Sequence, residues 1–192
     1  MSASLCLEEN FILERPECWD QIIRLKDAIE DLRHDTIDKL FKDLAKALAA
    51  QCYECDLGWG SQMDPYTENL AIQISNNELT SLFPTFENGI IIEYCYASDE
   101  LIIGLYVSTV LTTRVSNASL SRFKKDFPSE MEDSRWHYVL DLIPQGKCFD
   151  DSNRVVELTQ KSKRMEFAHE LMIIIDQYCK QVISQLKSHK ND

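Results

Sequence analysis

At 192 residues, the chain is long enough to form one domain with a substantial core, and its 44% apolar and 27% charged residues are typical of a globular protein. Its formal net charge of −12 disfavours binding of its general surface to nucleic-acid phosphates. It has neither an apolar run of roughly 18 residues, as a membrane-spanning helix requires, nor the N-terminal pattern of a secretory signal. Seven scattered cysteines, an odd number, indicate free thiols and a cytoplasmic location.

The N-terminal quarter is predicted to be helical. Residues 1–15 form a lead-in arm, and Pro16 with the acidic residues after it favours a helix start, so residues 16–50 are assigned as helical. Apolar side chains recur there at helical spacing: Trp19, Ile22, Ile23, Leu25, Ile29, Leu32, Ile37, Leu40, Phe41, Leu44 and Leu48. Either one long helix runs through, or two helices divide near His34 with Asp35 as a cap.

The middle of the chain predicts a sheet. Residues 52–68 are assigned to a loop because Gly and Pro interrupt them, and residues 78–88 are assigned to a connection. Four segments have strand patterns: 70–75, 90–97, 101–108 and 136–142. Short polar residues at 98–100 form the turn of a hairpin. We therefore expect one antiparallel sheet of about four strands within residues 69–143.

The C-terminal region predicts a long amphipathic helix. It begins at about Val155 or Lys163 and spans residues 155–188 in the wider assignment, after a short helix at 117–126 within the sheet region. Its buried face is predicted to contain Phe167, Leu171, Ile174, Ile175, Tyr178, Val182 and Ile183. The whole chain, residues 1–192, is thus predicted to be a single α+β domain with helices packed on one face of the sheet.

Cys52 and Cys55 have the only metal-like spacing in the sequence. A structural zinc site needs four ligands, and no second pair of this kind follows, so we expect no metal and no cofactor. The simpler interpretation is two ordinary thiols at the end of a helix. An enzyme built on these cysteines and His137 remains an alternative, if the fold brings them together.

Aromatic residues and turn carboxylates near the hairpin are the candidate binding residues. They are Trp59, Tyr94, Tyr96, Asp99, Glu100, Tyr106, Trp136 and Tyr138. Aromatic side chains on a sheet can stack on nucleic-acid bases, but they also serve as cross-strand pairs in ordinary sheets. Basic residues are not interleaved with them, which favours a protein partner over nucleic acid.

The order of these elements resembles the C-terminal half of bacterial PD-(D/E)XK nuclease-superfamily proteins, which occur in mobile or defence-related neighbourhoods. The matching segments are the long helix, ENLAIQIS, GIIIEYCYASDELIIGLYVS, LSRFKKDF, RWHYVLDLIP and the closing amphipathic helix. The family's catalytic core precedes this region. Glu93 is followed by Tyr94 and Cys95 rather than by x-Lys, so no catalytic residue carries over. The resemblance implies a recognition or scaffolding half.

The sequence as a whole predicts a non-enzymatic, acidic protein-binding module of the cytoplasm. Its surface and sheet would engage a basic or aromatic surface of another protein. The resemblance implies an inhibitor or accessory subunit in a phage or mobile-element defence setting. The alternatives are a nucleic-acid-binding or nuclease-associated module and a Cys/His enzyme. The identity of the partner and the oligomeric state are left open.

Overall fold

The protein is described here by a computed structural model that covers residues 18–59, 70–82, 89–96, 98–106, 125, 136–143, 149 and 152–190. Within these ranges the elements are α1 (Trp19–Ala49), β1 (Glu54–Trp59), β2 (Leu70–Ser75), α2 (Asn77–Leu82), β3 (Gly89–Cys95), β4 (Glu100–Tyr106), β5 (Trp136–Asp141), α3 (Ser152–Thr159) and α4 (Lys161–Lys190). The predicted α+β class is confirmed. The lead-in arm lies outside the described residues, as does the helix at 117–126 except for Lys125.

The five strands form one antiparallel sheet in the order β1-β2-β3-β4-β5, so each strand pairs with its neighbours along the chain. The predicted hairpin is confirmed: in its register Cys95 lies opposite Glu100 and Gly89 lies opposite Tyr106. This arrangement requires only short, local connections at the hairpin, which is why the pattern of turn residues located it correctly.

The assignment of residues 52–68 to a loop was wrong over β1, which is the fifth strand. Cys55 and Leu57 of β1 pack against the core, while Asp56 between them is exposed. Gly58 weakened the strand pattern in the sequence. A Cβ at Gly58 would meet no atom within 4 Å, so no packing contact is lost there, and β1 lies at the edge of the described sheet, where a glycine is tolerated.

The connection predicted at 78–88 begins instead with the short helix α2. The side-chain Oδ1 of Asn76 accepts a hydrogen bond from the Leu79 backbone N–H at 2.8 Å, which is an N-cap interaction. Leu79 is buried against the core. One capping residue and one buried leucine therefore define this helix, and its six residues are too few to show a helical period in the sequence.

The core lies between one face of the sheet and the helices α1, α3 and α4. Along β2, Leu70, Ile72 and Ile74 are buried and alternate with half-buried residues, as predicted. Alternate residues of β3 and β4 join them, together with one face each of α1 and α4. On the opposite sheet face, Ile91 and Tyr106 form a small separate cluster. Among the described elements, the helices thus pack on the main-core face of the sheet.

Helix α1 is continuous, which settles the choice left open by the sequence. His34 and Asp35 lie within it, and Asp35 forms an ion pair with Lys39 one turn later rather than capping a second helix. At 31 residues and 1.5 Å per residue, α1 is about 46 Å long. None of the described helices is long and apolar enough to cross a membrane.

The predicted C-terminal helix is two helices, α3 and α4, separated at Gln160. Its predicted buried face was wrong at Ile174, which is 37% exposed, whereas Ile175 is fully buried. Successive helical residues point about 100° apart, and the boundary of the buried face falls between these two isoleucines. Met172 and Cys179 lie on the buried face as well.

Candidate binding site

The N-terminal half of α1 extends beyond the sheet. Strands of six or seven residues span about 20–23 Å, roughly half the length of α1. The buried residues of α1 begin only at Thr36, so the sheet and α4 cover its second half. We refer to residues 19–35 of α1 as the overhang.

One face of the overhang is apolar, and that face is exposed to solvent. Ile22, Leu25, Ile29 and Leu32 follow one another at spacings of three and four residues, which places them on the same side of the helix. We refer to these four residues as the apolar stripe. Three of its members are 41–62% exposed, and the neighbouring Trp19 and Ile23 are exposed too. A contiguous apolar patch of several hundred Å² on a protein surface is typical of an interaction site.

A groove of about 590 Å³ runs along the apolar stripe. Its other wall is formed by Phe149, Val155 and Val156, the last two from α3. Val156 is exposed, and the charged residues of the lining are Lys26, Glu30 and Arg33. The groove is therefore an apolar channel with both charge signs at its edge.

Asp99 fixes the base of the overhang to the hairpin. It is 3% exposed, and its backbone φ of 55° lies in the left-handed region, which Asp tolerates better than most residues. Its Oδ1 accepts hydrogen bonds from Arg33 Nη2 at 2.8 Å and from the Tyr94 hydroxyl at 2.5 Å. Its Oδ2 accepts one from the Phe149 backbone N–H at 2.8 Å. One carboxylate thus joins α1, the hairpin and the groove wall.

The protonation states in this cluster suit that role. Burial raises the pKa of Tyr94 well above its ordinary value, and its hydrogen bond to Asp99 raises it further. Burial by itself would lower the pKa of Arg33, but hydrogen bonds and charge attraction from Tyr94 and Asp99 outweigh it and raise the pKa. At neutral pH, a charged guanidinium and a neutral phenol therefore surround the carboxylate.

Three of the sequence-predicted binding residues meet in this cluster, where they serve packing. Tyr94 is fully buried, with its ring edge-on to Tyr96 at 4.7 Å and to Phe149 at 5.2 Å between centroids. Tyr96 is half-buried and stacks on His34 of the overhang at 4.2 Å. These contacts, together with Asp99, hold the helix against the hairpin, so Tyr94 and Asp99 have no surface to offer a partner.

The other predicted binding residues are dispersed. Glu100 is exposed at the start of β4, and Tyr106 is buried on the opposite face of the sheet. Tyr138 has a φ of 53° at an irregularity in the β4–β5 pairing and stacks on Tyr178 of α4. Trp59 and Trp136 lie on β1 and β5, and their side chains are outside the described part of the chain. The described tyrosines therefore occupy both faces of the sheet and do not form one stacking surface.

The two cysteines of the metal-like pair have different environments. Cys52 is exposed at the end of α1, where its N–H bonds to the Ala49 carbonyl, and Cys55 is half-buried on β1. Among the described residues, no group of three or more His, Cys, Asp or Glu side chains is placed to hold a metal ion. His137, the third residue of the enzyme alternative, lies on β5 with its side chain outside the described residues.

These environments predict an order of thiol reactivity. Burial raises the pKa of Cys55 to about 11 and that of Cys179 to about 12, so both are almost entirely in the unreactive thiol form at pH 8. In iodoacetamide labelling of the native protein at pH 8, followed by peptide mass spectrometry, Cys52 should react at least tenfold faster than Cys55. Equal rates for Cys52 and Cys55 would contradict the described burial of β1.

Comparison with known proteins identifies no relative: no protein-family model, no curated protein and no solved structure matches this chain. The resemblance to PD-(D/E)XK proteins therefore stays a prediction. The apolar stripe was visible in the sequence but was assigned to the same face as the core residues after it. The available signal was the length of the helical pattern relative to the predicted strands, which are too short to cover it.

Proposed function

We propose that this chain is a non-catalytic protein-binding module of the cytoplasm, which docks an apolar segment of its partner in the groove beside the overhang. The observation that carries the proposal is the exposure of the apolar stripe along a walled groove. The proposal keeps the class of partner predicted from the sequence and moves the contact surface from the sheet to α1.

The chemistry of the groove favours an amphipathic helix as the docked segment. Two helices, α1 and α3, supply its walls, and a helix in such a groove is a recurring mode of recognition with anchors at spacings of three and four residues. Burial of the stripe would provide the driving force, because apolar area removed from water is favourable without any specific polar contact. The charges of both signs at the edge of the groove would contribute more to the orientation of the partner than to its affinity.

The groove is also held in shape before a partner arrives. The Asp99 cluster fixes the overhang at Arg33 and the groove wall at Phe149. On the other side of the core, Arg164 Nε donates to Asp43 Oδ2 at 2.8 Å, which ties α4 to α1. A preformed groove lowers the entropy cost of association, because the described walls are already fixed before binding.

The test is binding with matched surface variants. The tagged chain captures proteins from an extract of its native host, and each captured protein is purified and titrated against wild type and the double variant Leu25→Asp/Ile29→Asp. Both positions are exposed, so the fold should persist, as circular dichroism would verify. We expect binding to weaken at least tenfold.

The matched control is Ile173→Asp, which places a charge on an exposed isoleucine of α4. This variant should bind as wild type does. Equal affinity of the double variant and wild type for every captured protein would contradict the proposed surface. Capture of nucleic acid alone would favour the nucleic-acid alternative.

A further inference from the structure

We infer that the partner in the groove is a second copy of this chain, with two overhangs packed antiparallel about a two-fold axis. The inference rests on the proposed function, since it names the partner of the same surface. It is drawn from the spacing of the apolar stripe, the local charge balance and the exposed area.

The apolar stripe has the repeat of a helix–helix seam. Ile22 and Ile29 occupy one repeated position and Leu25 and Leu32 the other, with alternating spacings of three and four residues. This is the a and d pattern of a heptad, which buries its apolar seam against a partner helix. A self-complementary surface of this kind needs no other partner to bury it.

An antiparallel pair buries the apolar stripe of each copy against the apolar stripe of the other. In such a pair, positions equally far from Asp27 lie opposite each other, so Ile22 of one copy meets Leu32 of the other, and Leu25 meets Ile29. A two-fold axis makes every contact occur twice, as closed dimers require. Four apolar layers result, and none of them pairs an apolar side chain with a charged one.

The charge distribution favours self-association along the overhang and separation of the domains. The overhang contains the charged residues Asp20, Arg24, Lys26, Asp27, Glu30, Asp31, Arg33 and Asp35. These are five acidic and three basic side chains, a net −2 in a chain of −12, so contact there adds little repulsion. Antiparallel packing also places the two acidic domains at opposite ends of the seam, whereas parallel packing would bring them together.

The exposed area is sufficient for a dimer of modest affinity. The exposed side chains of the apolar stripe, with Trp19 and Val156, offer on the order of 500 Å² per copy, or ~1,000 Å² for two, which is the smallest area expected of a specific interface. An interface of this size gives dissociation constants in the micromolar range when its packing is ordinary.

The experiment is sedimentation equilibrium of the full chain from 5 to 500 µM. Wild type should reach twice its monomer mass of 22.3 kDa, and Leu25→Lys and Ile29→Glu should each remain monomeric over the same range. The control Ile173→Lys should dimerise as wild type does, because Ile173 is an exposed isoleucine on α4, outside the groove.

Mixing the two single variants tests the orientation. Antiparallel packing places Lys at position 25 opposite Glu at position 29 and leaves the other central layer intact, so the equimolar mixture should dimerise. Parallel packing brings position 25 opposite position 25 and gives no such rescue, so a monomeric mixture would overturn the antiparallel arrangement. A monomeric wild type at 500 µM would overturn the dimer itself. Dimerisation that appears only after removal of residues 1–17 would overturn it too, since the arm would then be the occupant.

The salt dependence of the affinity distinguishes a second copy of this chain from a different protein as the partner. Two acidic chains repel, so added salt should strengthen the dimer, whereas binding to a basic protein should weaken. If wild type stays monomeric while the Leu25→Asp/Ile29→Asp variant loses a captured protein, the second-copy inference fails and the proposed function stands. If wild type dimerises and both groove variants dimerise equally well, the overhang is not the dimer surface and the second-copy inference fails, while the proposed function is decided by the titration of captured proteins.

Discussion

Replacing Ile175 with aspartate is expected to destabilise the protein by about 4 kcal/mol or more, which is a large part of the stability of an ordinary domain. Ile175 is fully buried on the face of α4 that packs in the core. Aspartate there would place a charge, with no counter-charge, in an apolar environment and leave a cavity beside it. Urea denaturation monitored by far-ultraviolet circular dichroism measures the change.

The neighbouring residue provides the matched control. Ile174 is 37% exposed, so Ile174→Asp can direct its carboxylate into water and should cost about 1 kcal/mol or less. The two variants have the same composition and the same change in helix propensity. Similar unfolding midpoints for both would show that the described rotation of α4 is incorrect.

Replacing Asp99 with asparagine is expected to cost about 3 kcal/mol, because it removes the buried carboxylate that pairs with the partly buried Arg33 at 2.8 Å. Asparagine has nearly the same shape and adopts the left-handed backbone as readily as aspartate does, so the φ of 55° is not disturbed. The variant therefore removes the charge together with one of the two acceptor oxygens, since the asparagine Nδ2 cannot accept a hydrogen bond. Thermal melting measures the loss, and Glu100→Gln at the adjacent exposed position serves as the control and should melt within a degree or two of wild type.

A second readout identifies what the charge holds in place. Because Asp99 joins Arg33 and Phe149, its loss should loosen the overhang before the rest of the fold. Limited proteolysis of Asp99→Asn should then cleave earliest between residues 19 and 35. Melting of Asp99→Asn that is indistinguishable from that of Glu100→Gln would rule out the cluster as an anchor.

The parts of the fold that were predictable are those defined by local patterns. The hairpin has two apolar runs around short polar turn residues, and β2 alternates without exception, so both were located from the sequence. β1 was missed because an edge strand tolerates Gly58, and α2 because one Asn76 cap defines it. Such features depend on position in the fold more than on local composition.

The candidate site was harder to predict because its residues lie far apart along the chain and meet only in the folded protein. Asp99 lies 66 residues from Arg33 and 50 from Phe149 in the chain, so no local pattern joins them. The apolar stripe has the same spacing as the core residues that follow it, such as Ile37 and Leu44. The length of the strands relative to the helix decides which part of the helix is covered. The tyrosines of the hairpin were misinterpreted as exposed binding residues, because their spacing in the sequence does not show which of them are buried.

Hydrogen exchange of the chain with and without its partner tests most directly whether the overhang is the binding surface. The partner is the captured protein or, at raised concentration, the chain itself. Exchange over residues 19–33 should slow at least tenfold on binding, while exchange over β3 and β4 should be unchanged. Protection confined to the hairpin or to the sheet edges, with none over residues 19–33, would contradict the proposed surface.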